Sequence, residues 1–556
     1  MSPPTTATVL IPAAGRVPEG VLALSNIANP ALIPVAGRPV IHWTMTYLRS
    51  LGFTRFVIAV ARRGGFIEDF VQCAFGATCE VEFLAPAPGG LGQTVLELAR
   101  AAKTPRALVV LGDTHFQVSE PEALTGDSPT VLVSPVEESY RWCIAETKAD
   151  GTVTALKDKE PELPGPLNAL IGVYAFPDAQ ALTAAAETAV AQAAQQGRPA
   201  EMKAILEQVA KSSPLRAVKA KAWLDCGNPD RQAAAHQALL QQRAFNQLDI
   251  DPVLGTITKR SRNVDKFIDE VKFLQGLPPA LQVLFPRVLA ASVERAAPFV
   301  TLEYYGYPSL AEAFVFENVD PGVWERIFGH LAQVLQRFAA HPATLKPGAL
   351  LEMTLGKTRS RLEALAGPPE LLALVRADEV KLDGKPVRGL APRWAQLEAE
   401  VKAMTRPEGA VVHGDLCFSN ILYDLRSRIV KLVDPRGSFG APGHFGDQRY
   451  DVAKLFHSVH GRYDFLTNDL FTVRASGTAI DLELRARPSH LEIDRRFSKV
   501  FFEGERAFDR REVLLVTALL FASMLPLHDD APRRQLAMYA TALRLLEEHD
   551  ALRAKA

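Results

Sequence analysis

Residues 413–420 read HGDLCFSN and set a carboxylate, Asp415, five residues ahead of an amide, Asn420. A strand-like run over 429–435, IVKLVDP, then carries a second acid, Asp434. One loop with this spacing offers a carboxylate to a substrate hydroxyl and an amide oxygen to a cation, and Asp434 adds a harder metal ligand. Phosphoryl transfer asks for little more. Its charge is spread over the oxygens of the transferred group, so the protein's task is to hold Mg²⁺, a nucleotide and one acceptor oxygen in line. HGD alone is an ordinary turn; the Asn offset, the flanking apolar Val411, Val412, Ile421 and Leu422, and the second acid make the pattern specific.

Such a site also needs a Lys on a strand to meet the nucleotide phosphates and a Glu on the next helix to hold that Lys. Residues 255–261, GTITKRS, read as a strand carrying Lys259. Over 264–277, Val264, Phe267, Ile268, Val271 and Leu274 recur at helical spacing, with Glu270 on that helix and Asp269 as a competing acid. Residues 298–314 alternate as a strand and break at Gly306, where a hinge gripping the adenine falls, so Glu303 and Tyr305 are expected beside the nucleotide. No G-x-G-x-x-G precedes Lys259, and the phosphate-covering loop must be short or built from other backbone groups.

The order H-G-D-x-x-x-x-N, strand, Asp resembles the aminoglycoside phosphotransferase and choline kinase branch of the protein-kinase-like fold. Gly414 after the His, and Asp434-Pro-Arg-Gly437 at the second acid, favour small-molecule kinases over protein kinases. The resemblance implies a bilobal α+β domain with ATP as phosphoryl donor, Asp415 as catalytic base, Asn420 and Asp434 as Mg²⁺ ligands and His413 as a loop brace. It also implies that Asp451, in RYDVAKLF, ties the catalytic loop to the following helix. The stretch 315–410, with Trp324, Phe328, Phe338 and Trp394, is expected to wall the acceptor pocket, these aromatics serving mainly as core. Residues 437–450, rich in Gly and aromatics, resemble a loop closing over the acceptor. Arg436 stands beside it, either as a contact for an anionic substrate group or in a salt bridge.

The N-terminal part follows a different plan. Val9-Leu-Ile-Pro12 is a short strand entering a Gly-containing turn, residues 30–60 read as turn, helix and strand, and another strand ends in Leu111-Gly-Asp113. Alternating strands and helices argue a parallel, helix-covered sheet with ligands at the strands' C-terminal ends, where Asp113 stands. Seven segments in order, LIPAAG, PALIPVAGRPVI, GGLGQTVLELA, ALVVLGDTHF, KDKEP, NALIGVYAF and WLDCGNPD, resemble sugar-phosphate nucleotidyltransferases, particularly those that activate glucose 1-phosphate. The resemblance implies a Rossmann-like α/β domain in which Ala14 and Gly15 meet the nucleotide phosphates and Gly90 and Gln93 the base. It further implies Lys159 as the catalytic contact to the acceptor phosphate, Asn168 near the sugar, Asp113 with Asp225 as a Mg²⁺ pair, and an NTP as nucleotidyl donor. Two carboxylates drawn together repel unless a divalent cation lies between them. The chain departs from that family where a Lys is expected after a Pro: Pro30 is followed by Ala31, and no Lys occurs before Lys103, while Arg16 and Arg38 stand at other spacings.

At 556 residues, 48% apolar and 22% charged, the composition is globular with room for more than one domain. We expect a nucleotidyltransferase-like domain over 1–240 and a kinase domain over 241–556, its N-lobe at about 245–310 and its C-lobe at about 311–556, with a seam in the Ala-rich stretch 231–245. A net charge of −1 gives no pull toward nucleic acid or an anionic membrane. Five scattered Cys suit reduced thiols in the cytoplasm, no signal peptide is read at the N-terminus, and the apolar run 513–527 is read as a buried helix too short to span a bilayer. Partners are small-molecule substrates, and oligomerisation is left open. Two readings follow. Either the chain phosphorylates a sugar, polyol or amino alcohol and joins the new phosphate to a nucleotide, making a precursor for a surface glycan; or only the kinase reacts, and a degenerate N-terminal domain binds a ligand or regulates. Asp113, Asp225 and Lys159 favour the first, and the absent cations the second.

Overall fold

The structure, a computed structural model, describes residues 7–15, 29–61, 65–226, 231, 246–504 and 506–554. The chain divides into two compact units, residues 1–239 and 240–556. Arg16, and the seam expected in 231–245 apart from Arg231, lie outside the described residues.

In the first unit the alternation of apolar strands and amphipathic helices yields β1 (Ala7–Ala13), α1 (Val40–Ser50), β2 (Arg55–Val60), α2 (Gly65–Phe75), β3 (Glu80–Leu84), α3 (Gly90–Ala101) and β4 (Arg106–Val110). These strands pair in parallel in the order β3-β2-β1-β4. There follow β5 (Thr114–Gln117), β6 (Thr130–Val136), β7 (Cys143–Thr147), β8 (Val153–Asp158), β9 (Leu167–Phe176), α4 (Ala179–Gln195), α5 (Met202–Ser212), β10 (Arg216–Lys219) and β11 (Ala222–Asp225). Here the parallel expectation is corrected. β9 runs antiparallel to β4, β6 and β7, and β8 antiparallel to β7, so the nine-stranded sheet is mixed. The links from β6 to β9 carry no crossover helix, and parallel pairing needs one.

The second unit opens with β12 (Asn246–Asp251), β13 (Thr256–Ser261), α6 (Val264–Gly276), β14 (Val288–Ser292) and β15 (Phe299–Glu303). The strands form an antiparallel sheet ordered β12-β13-β15-β14. α6 buries Phe267, Ile268, Val271, Phe273 and Leu274, which holds its register and therefore the direction of Glu270. A largely helical lobe follows: α7 (Leu310–Phe316), α8 (Pro321–Ala339), α9 (Lys357–Glu363), β16 (Glu408–Val411), β17 (Ile421–Asp424), β18 (Ile429–Leu432), α10 (Gln448–Val459), α11 (Ser489–Phe502), α12 (Arg510–Met524) and α13 (Pro532–Arg553). Trp324, Phe328 and Phe338 are core residues of α8.

The run Arg510–His528 is 19 residues long and, by length and composition, apolar enough to cross a membrane, which corrects its reading as too short. Residues 513–524 are all buried, however, and α12 packs against α10 and α13 as the central helix of this lobe.

Candidate active sites

In the second unit, β13 and α6 bring Lys259 and Glu270 together. The Lys259 Nζ donates to both Glu270 carboxylate oxygens, at 2.7 and 2.9 Å, and to Asp434 Oδ1 at 2.8 Å. Burial opposes the charge on Lys259, but the Asp434 and Glu270 carboxylates outweigh it and hold the ammonium ionised. The two acids are not equivalent: the Glu270 side chain is 12% exposed and that of Asp434 53%. Glu270 is thus a fixed strut, whereas the Asp434 carboxylate also faces solvent. Asp434 also adopts φ +56°, a left-handed conformation that non-glycine residues hold only when their surroundings impose it. Part of that imposition is the following turn, which lies directly on α6; a Cβ at Gly437 would stand 2.2 Å from the Asp269 carbonyl oxygen.

The loop between β16 and β17 is braced from three sides. Asp451, fully buried on α10, accepts hydrogen bonds from the backbone N–H groups of His413 (2.7 Å) and Gly414 (2.8 Å). Burial lowers the His413 pKa to about 4, so the ring is neutral; it pairs through Nε2 with the Val433 carbonyl at 3.0 Å, and Nδ1 accepts from the Asp415 N–H at 3.3 Å. The Asn420 amide nitrogen donates to the Asp415 carbonyl (2.9 Å) and to its Oδ2 (3.3 Å), which turns the amide oxygen the other way. The Asn420 carbonyl in turn accepts from the Val433 N–H at 3.0 Å, one residue from Asp434. Asp415 Oδ1 is met by the Lys454 ammonium at 2.8 Å. Burial pushes the Asp415 carboxyl up, but the charges of Lys454 and Arg436 prevail and hold it well below the usual range.

A cavity of about 860 Å³ has Lys259, Lys266, Glu270, Asp415, Asp434 and Arg436 among its lining residues. Arg436 reaches the Tyr450 hydroxyl at 3.1 Å rather than an acid. Asn420, Glu303 and Tyr305 are not among its lining residues. Glu303 ends β15, bonded to the Tyr305 hydroxyl at 3.0 Å and paired with Arg287 at 3.1 Å, and the Lys431 ammonium lies 4.7 Å over the Tyr305 ring.

In the first unit, Ala14 and Gly15 follow β1 and Asp113 follows β4, at the C-terminal ends of two adjacent parallel strands. A Cβ at Gly112 would stand 3.2 Å from that of Ala13 and 3.3 Å from that of Ala31, which shows how closely these turns approach. β5 pairs antiparallel with β11, setting Asp225 opposite Thr114, and the Cys226 N–H donates to the Asp113 carbonyl at 3.1 Å. Asp113 and Asp225 therefore converge. Burial, then the Asp225 charge, raise the Asp113 pKa from 3.8 to about 6.

Lys159, just past β8, holds φ +55° and donates its N–H to the Trp142 carbonyl at 2.9 Å. The Trp142 ring meets Trp223 edge-on at 5.0 Å, two residues before Asp225, and the Arg231 guanidinium lies 4.8 and 4.9 Å from the two indoles. Asn168 lies on β9, which pairs with β7, as does β8. Gly90 opens α3 with φ +81°, and a Cβ there would stand 2.8 Å from that of Pro199, so both conformation and space require glycine. Gln93, on the first turn of α3, donates to Glu97 at 2.7 Å.

Residues 21–242 match the nucleotidyl transferase family and residues 241–465 the phosphotransferase enzyme family. Each half of the chain thus matches a family of enzymes. The nucleotidyltransferase half is similar to solved structures at low identity. One is a Bacillus anthracis protein provisionally named a glucose-1-phosphate thymidylyltransferase, in complex with sucrose (19% identity, 43% of this chain and 97% of that one, TM-score 0.37). Another is HddC from Yersinia pseudotuberculosis (17%, 42% and 99%, 0.34), and a third a UDP-glucose pyrophosphorylase from Acinetobacter baumannii (14%, 44% and 95%, 0.36). No curated protein matches the chain.

Both halves offer hard oxygen donors that suit Mg²⁺. Among the described residues no group of three or more His, Cys, Asp or Glu is placed to hold a metal. Two oxygen donors are nevertheless sufficient for this ion, which keeps several waters and takes further ligands from substrate phosphates. The solvent-facing Asp434 and the mutually repelling Asp113 and Asp225 fit that role.

The sequence reading missed Lys454, Trp142, Trp223 and Arg231. Lys454 lies four residues after Tyr450 and three after Asp451, hence on the same helical face, and that spacing in RYDVAKLF was its signal. Arg231 had none, because a cation–π contact leaves no spacing pattern.

Proposed function

We propose that the phosphotransferase half moves the γ-phosphoryl group of ATP to a hydroxyl of a sugar, polyol or amino alcohol, and that the nucleotidyltransferase half joins the resulting phosphate to a nucleotide. In the first step an O–P bond forms at the acceptor, ADP leaves, and the hydroxyl proton passes toward Asp415. In the second the new phosphate attacks the α-phosphorus of an NTP and pyrophosphate leaves. The observation that carries the reading is the Lys259–Glu270–Asp434 triangle in the same cavity as Asp415.

Within that cavity Lys259, held by Glu270, binds the donor phosphates, and Asp415 orients the acceptor hydroxyl. Asp434 and Asn420 would hold Mg²⁺, as would Asp113 with Asp225 in the other half; the ion supplies charge neutralisation at the phosphates. In the nucleotidyltransferase half Ala14 and Gly15 offer backbone N–H groups to the NTP, Gly90 and Gln93 face the base, Lys159 binds the acceptor phosphate and Asn168 the sugar. Glu303 and Tyr305 form the adenine side of the kinase hinge. The product is an activated precursor for a surface glycan, made in the cytoplasm, where the five scattered cysteines would stay reduced. The test is a screen with ATP and Mg²⁺ against sugars, polyols and amino alcohols, reading ADP, followed by each phosphorylated product with a panel of NTPs, reading pyrophosphate. ADP release without pyrophosphate would reduce the function to the kinase alone.

A further inference from the structure

Basic groups from three separate segments cluster near Asp415. α9 contributes Lys357 and Arg361, one turn apart; α10 contributes Tyr450 and Lys454, also one turn apart; and Arg436 comes from the turn after Asp434. The Tyr450 hydroxyl lies 3.1 Å from both Lys357 Nζ and Arg436 Nη1, so one neutral oxygen serves two bases. Arg361 is anchored by Nη1 on the Ser523 carbonyl at 3.0 Å. Among the described residues no salt bridge joins Lys357, Arg361 or Arg436 to an acid, and Asp415, whose charge reaches Lys357, is already paired with Lys454. Lys357 also follows a turn of π-helix, Glu352–Gly356, a distortion that commonly marks functional positions.

Half-buried basic groups without counter-charges are costly to keep ionised, and a bound anion offsets that cost. Of the other cations that line the cavity, Lys259 and Arg262 lie on β13 and just after it, the side proposed for the donor nucleotide, whereas Lys266, on the first turn of α6, is close enough to feel the charges of Arg361 and Arg436. Lys357, Arg361 and Arg436 all lie within electrostatic reach of Asp415, the group that must meet the acceptor hydroxyl. Resting on the kinase reading above, we infer that the acceptor carries a negative group, a carboxylate or a phosphate, in addition to the hydroxyl that is phosphorylated, and that Lys357 and Arg436 bind it. A positively charged amino alcohol would meet like charges there. Burial and the neighbouring Arg436, Lys454 and Arg361 lower the Lys357 pKa to about 5, so this residue is neutral before the anion arrives and takes up a proton when it binds.

Four sugars of matched shape test this on the full chain: glucose, glucuronate, glucose 6-phosphate and glucosamine, with binding read by calorimetry in two buffers of different ionisation enthalpy and turnover by ADP release. At least one anionic sugar should bind about tenfold or more tightly than glucose, the scale of one charge-assisted hydrogen bond, and glucosamine more weakly than either. Binding at pH 7.5 should take up a proton in the wild type and not in Lys357→Met, which matches the neutral side chain in shape. Arg436→Gln, on the cavity wall, should likewise weaken binding of the anionic sugar more than that of glucose, narrowing the gap between the two. Glucuronate against glucose 6-phosphate distinguishes carboxylate from phosphate. Binding that ignores the charge of the sugar, or anion binding that survives both substitutions, overturns the inference. Selective anion binding without ADP release would leave it standing and count against the kinase reading.

Discussion

The Lys454 ammonium lies 2.8 Å from Oδ1 of Asp415, so the carboxylate at the centre of the proposed phosphoryl-transfer site is permanently ionised across the physiological range. A carboxylate so stabilised is a weak base. It orients the acceptor hydroxyl and receives its proton late, as suits a transition state in which bond formation to the nucleophile is little advanced. Asp415→Asn should lower kcat by about 10²- to 10⁴-fold with ATP binding intact. Turnover near wild type would remove Asp415 from the mechanism. Lys454→Met takes away the charge that depresses the Asp415 pKa, so the acid limb of the kcat/KM profile should move to higher pH; a lowered rate with an unmoved limb would mean a purely structural role.

Asp434 shares the Lys259 ammonium with Glu270 but is far more exposed. Asp434→Ala and Asn420→Ala should each raise the Mg²⁺ concentration needed for half-maximal ADP formation. Glu270→Gln should instead raise the KM for ATP, because Lys259 loses its fixed strut. Asp113→Ala should leave ADP formation unchanged, and a loss there would contradict two separate sites.

Asp113 reverses the usual behaviour of a carboxylate. Its folded-state pKa is raised from 3.8 to about 6, so between those values the folded protein keeps a proton that the unfolded chain releases. Its contribution to stability therefore falls as pH rises from about 4 to about 6 and is unfavourable at neutral pH without a bound cation. Asp113→Asn should raise Tm by about 2–4 °C in Mg²⁺-free buffer at pH 7.5, with little gain at pH 4, while abolishing pyrophosphate release. A lower Tm at pH 7.5 would mean that the acid is already compensated.

Ala31, where the resemblance expects a Lys, is 1% exposed, and the space beside it is so tight that a Cβ at Gly112 would stand 3.3 Å from its own. Returning a Lys there forces a long charged chain through a packed turn. Ala31→Lys should lower Tm without increasing pyrophosphate release, and increased release would show that the side chain reaches the triphosphate.

Much of this arrangement was legible in the sequence where a local period fixes a side chain's direction. Lys259 on a strand and Glu270 on a helix with a clear apolar face could be placed before their contact was seen. The HGD loop and Asp451 were legible as spacing, although the buried carboxylate's grip on two backbone N–H groups was not. Lys357 and Arg361 come from a helix about sixty residues before Asp415, and only tertiary packing brings them there. The antiparallel half of the first sheet was missed because pairing direction depends on the connections between strands rather than on the strands themselves.

The most direct test of coupled chemistry follows one phosphorus atom. With γ-³²P-labelled ATP, Mg²⁺, an acceptor found by the screen and an unlabelled second NTP, the label should pass into the acceptor monophosphate and then into a nucleotide diphosphate conjugate, with unlabelled pyrophosphate released. Asp415→Asn should stop both steps unless the monophosphate is supplied, and Asp225→Ala only the second. Label that reaches the monophosphate and never enters a nucleotide conjugate with any NTP, or conjugate formation that survives Asp225→Ala, would contradict two successive active sites in one chain.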